Sequence, residues 1–371
     1  MTVSRRSLLR SAAAVVPAMA IGGALSGVAS GATRAAPWQV FPIAGGSSSW
    51  YRFSRISFAP DGTAKALGTD NYFTDGPLGP IEQDPLVWSF NGTGWSGAGF
   101  ADDTRPLNGI TVTGPADAWA VGEKWDRVQK FDVPQLLRWN GTAWTNSMTG
   151  AESFARPSQV SGTGSDVWVV GSARESYAIP AVLRRDGSSW APVSLPGTLG
   201  TATLLTVQVV AANDVWVAGS VGTSGARRSL VMHWNGSSWT VLPAPFGTAV
   251  GQVTSLLVKG GQCWAGGSAA NRGAVAVWNG SAWSARNPAL SGISEVTQLA
   301  EYGSTEVWVS GTGLTLQRWN GSAWSEAEGP QAAPLVVGAL ATGPDGALWI
   351  AGSKETSSST SYFFAKLPAT A

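Results

Sequence analysis

The stretch Asp214-Val215-Trp216-Val217-Ala218-Gly219, followed by His233-Trp234-Asn235-Gly236-Ser237-Ser238-Trp239-Thr240-Val241-Leu242-Pro243, decides the fold, because both halves recur. The first half is an acidic or polar residue, an apolar one, Trp, two small or apolar residues and Gly. It returns at Asp117-Ala118-Trp119-Ala120-Val121-Gly122 and around Trp168, Trp264, Trp308 and Trp349. A degenerate first copy, Pro60-Asp61-Gly62 through Gly68, matches Pro344-Asp345-Gly346 through Gly352 position by position and completes a set of seven. The second half, Asn-Gly, two residues, then Trp, stands at Asn91, Asn140, Asn235, Asn279 and Asn320, with Asp186-Gly187 as a variant. A repeat of about 40–50 residues marks a solenoid, a propeller or an array.

Each repeat holds four short stretches of strand character, in the fourth copy Leu205 to Val210, Val215 to Gly219, Ser229 to Trp234 and Trp239 to Leu242. Asn-Gly between two such stretches predicts a hairpin with a type I′ turn. The ends carry a permutation. Phe363-Phe364-Ala365-Lys366-Leu367 matches the strand that precedes each Asn-Gly, while Trp38-Gln39-Val40-Phe41-Pro42 reads like Trp239-Thr240-Val241-Leu242-Pro243. A linear solenoid gains nothing from such an ending, whereas a ring needs it to close. The expectation is an all-β fold over residues 37–371: a seven-bladed β-propeller of four-stranded antiparallel blades, its last blade completed by the N-terminal strand.

Composition agrees with a large, sparsely charged β-structure. Of 371 residues, 47 are Gly and 20 are Trp, and only 13% are charged, against about 25% in an average globular protein. The single Cys and single His exclude an intrachain disulfide and a metal site built from several His or Cys ligands. No metal and no cofactor is expected. Arg5, Arg6, Arg10 and Arg34 lie in a leading segment without acids; setting them aside leaves 20 basic residues against 23 acidic ones. Such a body argues against a nucleic-acid partner.

Ser4-Arg5-Arg6-Ser7-Leu8-Leu9-Arg10, a modest apolar run to about Ala29 and small residues at Ser30-Gly31-Ala32 resemble a twin-arginine export signal. The resemblance implies cleavage between about Ala32 and Ala36, a secreted bacterial protein, and no membrane span after the signal at 1–36 is removed. The repeats resemble those of exported actinobacterial propeller proteins and, more distantly, bacterial seven-bladed propeller lectins. That resemblance is specific for architecture. It implies a binding protein whose partner is a carbohydrate, such as a cell-surface glycan, or a secreted protein. The Gly-His…Trp-Asp pairing of WD repeats and the sialidase Asp-box are both missing.

Within the repeats, eighteen of the twenty Trp read as blade core, Trp50 and Trp125 being the exceptions. The repeat acids Asp117, Asp166, Asp214 and Glu306 read as caps of nearby backbone N–H groups. His233 stands where other copies carry Arg138, Arg185 and Arg318, and reads as a solvated strand residue; Cys263 reads as a small buried hydrophobe. The Asn-Gly-Ser/Thr triplets match a glycosylation sequon but all fall in the same turn, and no sugar is assigned to them.

Insertions carry the functional signal. In a blade running outward from the axis, the turns after the first and third strands share one face and the connections after the second and fourth share the other. The second set is longest in the early copies and collects Tyr72, Phe73 and Asp75, then Asp102 and Asp103, then Trp125, Asp126 and Arg127, then Arg174, Glu175 and Tyr177. Aromatic, acidic and arginine side chains on a rigid scaffold are the materials of a binding site, and these eleven are the candidate ligand-binding residues. No catalytic residue is assigned, although a carboxylate pair drawn from Asp70 to Asp132 would suit a glycan-active lyase or hydrolase, and an adaptor role in a secreted assembly is a third reading. Arg55 departs from its counterparts, aligned here as Gly109, Ser158, Thr206, Thr254, Gln298 and Ala339, and is expected to project into the central channel.

Overall fold

A computed structural model describes residues 38–43, 50–73, 81–100, 104–174, 176–223, 225–287, 293–312, 316–330, 335–356 and 359–369, without side chains at positions 72, 73, 81, 82, 177 and 186. Residues 1–36, read above as an export signal, and Asp75, Asp102, Asp103 and Glu175 lie outside the described residues.

Seven antiparallel sheets of four strands form the molecule. Blade 4 shows the plan: Ala202–Ala211, Asp214–Val221, Arg228–Trp234 and Trp239–Val241 pair in that order. First strands of successive blades lie against one another and close a ring, that of blade 7 (Leu335–Thr342) meeting that of blade 1 (Trp50–Phe58). Blade 7 continues with Leu348–Glu355 and Thr360–Leu367, and the N-terminal strand Gln39–Ile43 pairs with the last of these as its outer edge. The permuted ends therefore meet in one sheet, so the chain fastens its own ring.

The final Gly of the Trp-x-x-Gly repeat has a steric cause. Each first strand carries a β-bulge at the same level, at Ser54, Asn108, Ser158, Leu205, Thr254, Thr297 and Gly338. The residue before each bulge pairs with the repeat Gly, as Leu204 does with Gly219. A Cβ on Gly219 would run into the Thr203 carbonyl oxygen, and equivalent collisions occur at Gly171, Gly267 and Gly352. The bulge brings the two backbones too close for any side chain between them. This register also corrects the sequence alignment of Arg55: its counterparts in blades 3 and 5 are Gln159 and Ser255, with Ser158 and Thr254 being the bulge residues themselves.

Hydrophobic packing is concentrated between blades. The Trp of the first motif is buried in every copy, and Trp119 meets Trp190 of the next blade edge-to-face at 5.2 Å. The Trp that flank the Asn-Gly turns also pack against the core, with Trp95 and Trp190 buried and the others less deeply placed. Pairs such as Trp234 and Trp239, 5.4 Å apart, are only half-buried at the outer rim. The turns differ from the expected type. Pairing ends at Trp234↔Trp239, leaving a four-residue loop in which Asn235 Oδ1 accepts from the N–H of Ser237 and Ser238, each at 3.0 Å. Gly236 takes the positive φ and Asn235 does not, so the loop is an Asx-type turn and not type I′. A two-residue turn with both φ positive does occur, at Ala270-Asn271.

Candidate functional site

The insertions are strand pairs more than loops. In blade 1 the second and third strands, Ala64–Phe73 and Ile81–Phe90, stay paired out to Phe73↔Ile81; in blade 2, Asp117–Asp126 and Phe131–Trp139 stay paired out to Asp126↔Phe131. The ladder between the second and third strands of each blade is simply continued, so the ribbons stand up from the rigid scaffold. Asp126 closes the blade 2 ribbon: its Oδ1 accepts from the N–H of Val128 and Gln129 at 2.8 Å each, and those bonds hold its pKa below the usual carboxylate range. Beside it, Arg105 donates to Asp132 at 2.8 Å and lies over the Trp125 ring at 5.3 Å. Arg127 and Arg174 are exposed at the tips, Tyr72 and Phe73 end the blade 1 strand, and Tyr177 lies on the third strand of blade 3.

Trp125, Asp126, Arg127 and Arg174 are not among the described residues that line the largest cavity described. That cavity, about 1210 Å³, is the mouth of the central channel on the same face. Its wall comes mainly from blades 6, 7 and 1, and the bulge residues Ser54, Asn108, Ser158, Leu205, Thr297 and Gly338 ring it. Arg55 is among its lining residues. Trp50, Tyr51 and Tyr362 make an aromatic rim, with the last two rings 5.0 Å apart. Burial raises the Tyr362 phenol above its usual pKa. Sequence reading missed these rim residues; the only available signal was that Trp50 belongs to neither repeat motif.

The wall is stiffened from behind. Gln298 donates its amide to the carbonyls of Ser54 and Gly338, at 2.9 and 2.8 Å, and accepts from Leu340 N–H at 2.7 Å, so one buried side chain from blade 6 holds blades 7 and 1. Ser255 and Ser57 accept from the first strands of the next blades, from Leu299 N–H and Val112 N–H at 3.0 Å each.

Two of the acids meet across the blade 1 ribbon, where Asp70 and Asp84 are register partners. Asp70 is buried in blade 1 whereas Asp132 is bound to Arg105 in blade 2, and Glu355 is the one acid among the described cavity residues. Among the described residues no group of three His, Cys, Asp or Glu could hold a metal ion, and no helix is long and apolar enough to cross a membrane. The repeat acids, read as backbone caps, are instead held by side chains on the opposite face. Asp214 Oδ1 meets Trp216 Nε1 at 2.7 Å and His233 Nε2 at 2.8 Å, with the His233 ring stacked on Trp216 at 4.3 Å. Asp117 pairs with Arg138 at 2.8 Å and Asp166 with Arg184 at 2.6 Å. Arg184, not Arg185, is thus the counterpart of His233; Arg185 pairs with Trp190 in the place of a Trp. Cys263 is fully buried, as expected.

Comparison with solved structures finds WD40 propellers among the matches. The WD40 repeats of RRP9 superpose with a TM-score of 0.57 at 12% identity, over 90% of this chain and 99% of that one. The WD40 propeller domain of Doa1 gives 0.56 at 13%, over 89% and 97%. PorZ of Porphyromonas gingivalis, described as an essential bacterial surface component of the type-IX secretion system, gives 0.55 at 16%, over 83% of this chain and 46% of its own. The likeness is one of fold. No family model matches the chain, and no curated protein matches it either.

Proposed function

We propose that this chain is a non-enzymatic binding propeller that takes a partner protein on its insertion-bearing face, around the mouth of the channel. One observation carries the reading: of the seven exposed large apolar side chains among the described residues, four stand on the insertions or at the channel rim, on the face where the cavity opens. Val128 is 90% exposed, Phe131 48%, Ile179 47% and Trp50 47%, all on the insertions or at the channel rim. Apolar surface rimmed by polar residues marks an interaction site, and aromatic anchors dominate the energetics of such surfaces. A carbohydrate is the second reading, favoured by Trp50 and Tyr51 at the edge of a partly polar cavity. Trp125, the first choice for stacking on a sugar, already carries Arg105 over its ring. A hydrolase or lyase would need two acids about 5–9 Å apart, whereas the described cavity wall contributes Glu355 alone.

Export through the twin-arginine route, with removal of residues 1–36, belongs to this proposal and accounts for the arginine pair at Arg5 and Arg6. Replacing both with Lys should retain the protein inside the cell, read by fractionation of the culture. For the binding itself, photo-cross-linkers placed at Val128 and, on the opposite face, at Ser237 should yield partner adducts from Val128 only. Adducts from neither position, with glycan-array binding lost in Trp50→Ala, would replace the protein reading with the carbohydrate one.

A further inference from the structure

Arg55 is unlike every residue at its level of the ring. The positions directly after the bulge are Arg55, Gly109, Gln159, Thr206, Ser255, Gln298 and Ala339, and only the first is charged. Three of its counterparts spend their side chains on the scaffold: Gln159 accepts from Val160 N–H at 2.9 Å, and Ser255 and Gln298 hold the next blades. Arg55 makes no hydrogen bond and no ion pair with any described residue. Arg55 is half-buried in the wall of the channel, and burial lowers the affinity of its guanidinium for protons. Arginine nevertheless keeps its charge inside proteins. A Lys or His in the same place could shed a proton to escape this cost; a guanidinium has five N–H donors to satisfy and no neutral form to retreat to. Burying part of such a cation without a counter-charge is unfavourable, and the fold gains nothing visible from it.

The surroundings narrow the ligand. A carboxylate matches the two-pronged guanidinium face, with two parallel N–H···O bonds. The polar residues that share the wall with Arg55 are mostly neutral, among them Ser54, Ser158 and Thr297, with Glu355 the one acid, which suits a ligand of one negative charge; Arg52, the other cation of the wall, is exposed. Phe53, Leu107, Leu205, Val336 and Val337 line much of the remainder. Sugar hydroxyls laid against those side chains would lose their hydrogen bonds. We propose that Arg55 binds, inside the channel, the carboxylate of a ligand with an apolar body, namely the free C-terminus of a peptide segment.

This inference rests on the binding reading above, but its test does not need the natural partner. Thermal melting of the full chain is followed with sodium hexanoate, sodium glucuronate or sodium chloride at equal ionic strength, and with a Leu/Val hexapeptide as free acid or C-terminal amide. Hexanoate and the free-acid peptide raise the melting temperature of the wild type, while the amide and chloride do not. Arg55→Met abolishes the rise, weakens the peptide by about tenfold or more, and in chloride melts no lower than the wild type because a half-buried charge has been removed. Arg55→Lys, which keeps a charge but not the fork, retains part of the response and guards against misfolding of the Met variant. Equal shifts for acid and amide, a shift that survives Arg55→Met, or no shift in the wild type would each overturn the assignment. A response to glucuronate alone would overturn it in favour of an acidic sugar. Carboxylate binding without any cross-link from Val128 would leave Arg55 standing and sink the protein-partner reading; the reverse pattern would do the opposite.

Discussion

Lys65 is the plainest case of a side chain whose setting could not be read from the chain. It lies in a repeat position, in the degenerate first copy, yet it is 4% exposed, donates to Ser89 Oγ at 3.0 Å and sits 4.2 Å above the Trp139 ring of the next blade. Burial pulls its pKa down to about 8 from 10.5. The unfolded chain therefore binds the proton more tightly than the folded one. Below about pH 8 both states are charged and the folded state carries the desolvation cost; between about pH 8 and 10.5 the unfolded state alone holds the proton, so stability rises with pH through that window. Urea denaturation at several alkaline pH values should show this rise in the wild type and not in Lys65→Met, which keeps the stem's packing over Trp139. A rise of equal size in both would assign it to another group. The repeat acids make the same point. Their recurrence was plain in the sequence, but the partner of Asp214 is His233 on the third strand, and only strand register brings the two together. In blade 3 the shift of one residue, from Arg185 to Arg184, changes which arginine reaches the acid.

At the scale of the strand, the most legible feature was the Trp-x-x-Gly run, and the least legible was the bulge that explains its Gly. A bulge leaves no fixed residue type behind: Ser54, Asn108, Leu205 and Gly338 share the position and nothing else. Its trace in the sequence is the Gly opposite, which had been read only as a strand end. Gly219→Ala should destabilise the protein by about 1–3 kcal/mol, the usual cost of forcing extra volume into a packed site, because its Cβ would meet the Thr203 carbonyl and not a yielding side-chain tip. Gly99→Ala, where a Cβ has nothing within 4 Å, should be neutral in the same denaturation experiment. If the two variants behaved alike, the close approach would have no energetic weight. The candidate site divides similarly. The insertion-rich face was legible, since insertions interrupt a period. That the insertions continue as paired ribbons, and that the cavity lies toward blades 6, 7 and 1 and away from the residue-rich early insertions, follows from ring geometry that no local pattern records.

The molecule as a whole depends on one non-repeating seam. Where the ends meet, Phe364 lies between blades, stacked on Trp95 with ring centroids 3.9 Å apart and in contact with Phe53 and Trp88; Phe41 of the N-terminal strand stacks on Trp349 at 5.4 Å. No other seam is as aromatic among the described residues. Closing a ring brings together segments more than three hundred residues apart, so the entropic cost of that loop falls on these contacts. Phe364→Ala should cost about 3–5 kcal/mol, the range for a buried aromatic truncated to Ala, seen as a lower urea midpoint, and a loss below 1 kcal/mol would mean the ring is held elsewhere. The belt of seven bulges has a further consequence. Backbone geometry and the opposing glycines hold it in place, so the fold fixes the level of the bulge and not its residue type, although Asn108 and Thr254 do bond carbonyls of the next blade. Cavity-lining bulge positions such as Ser54, Ser158 and Leu205 can then change one at a time, and a lineage could exchange one ligand for another without rebuilding a single blade.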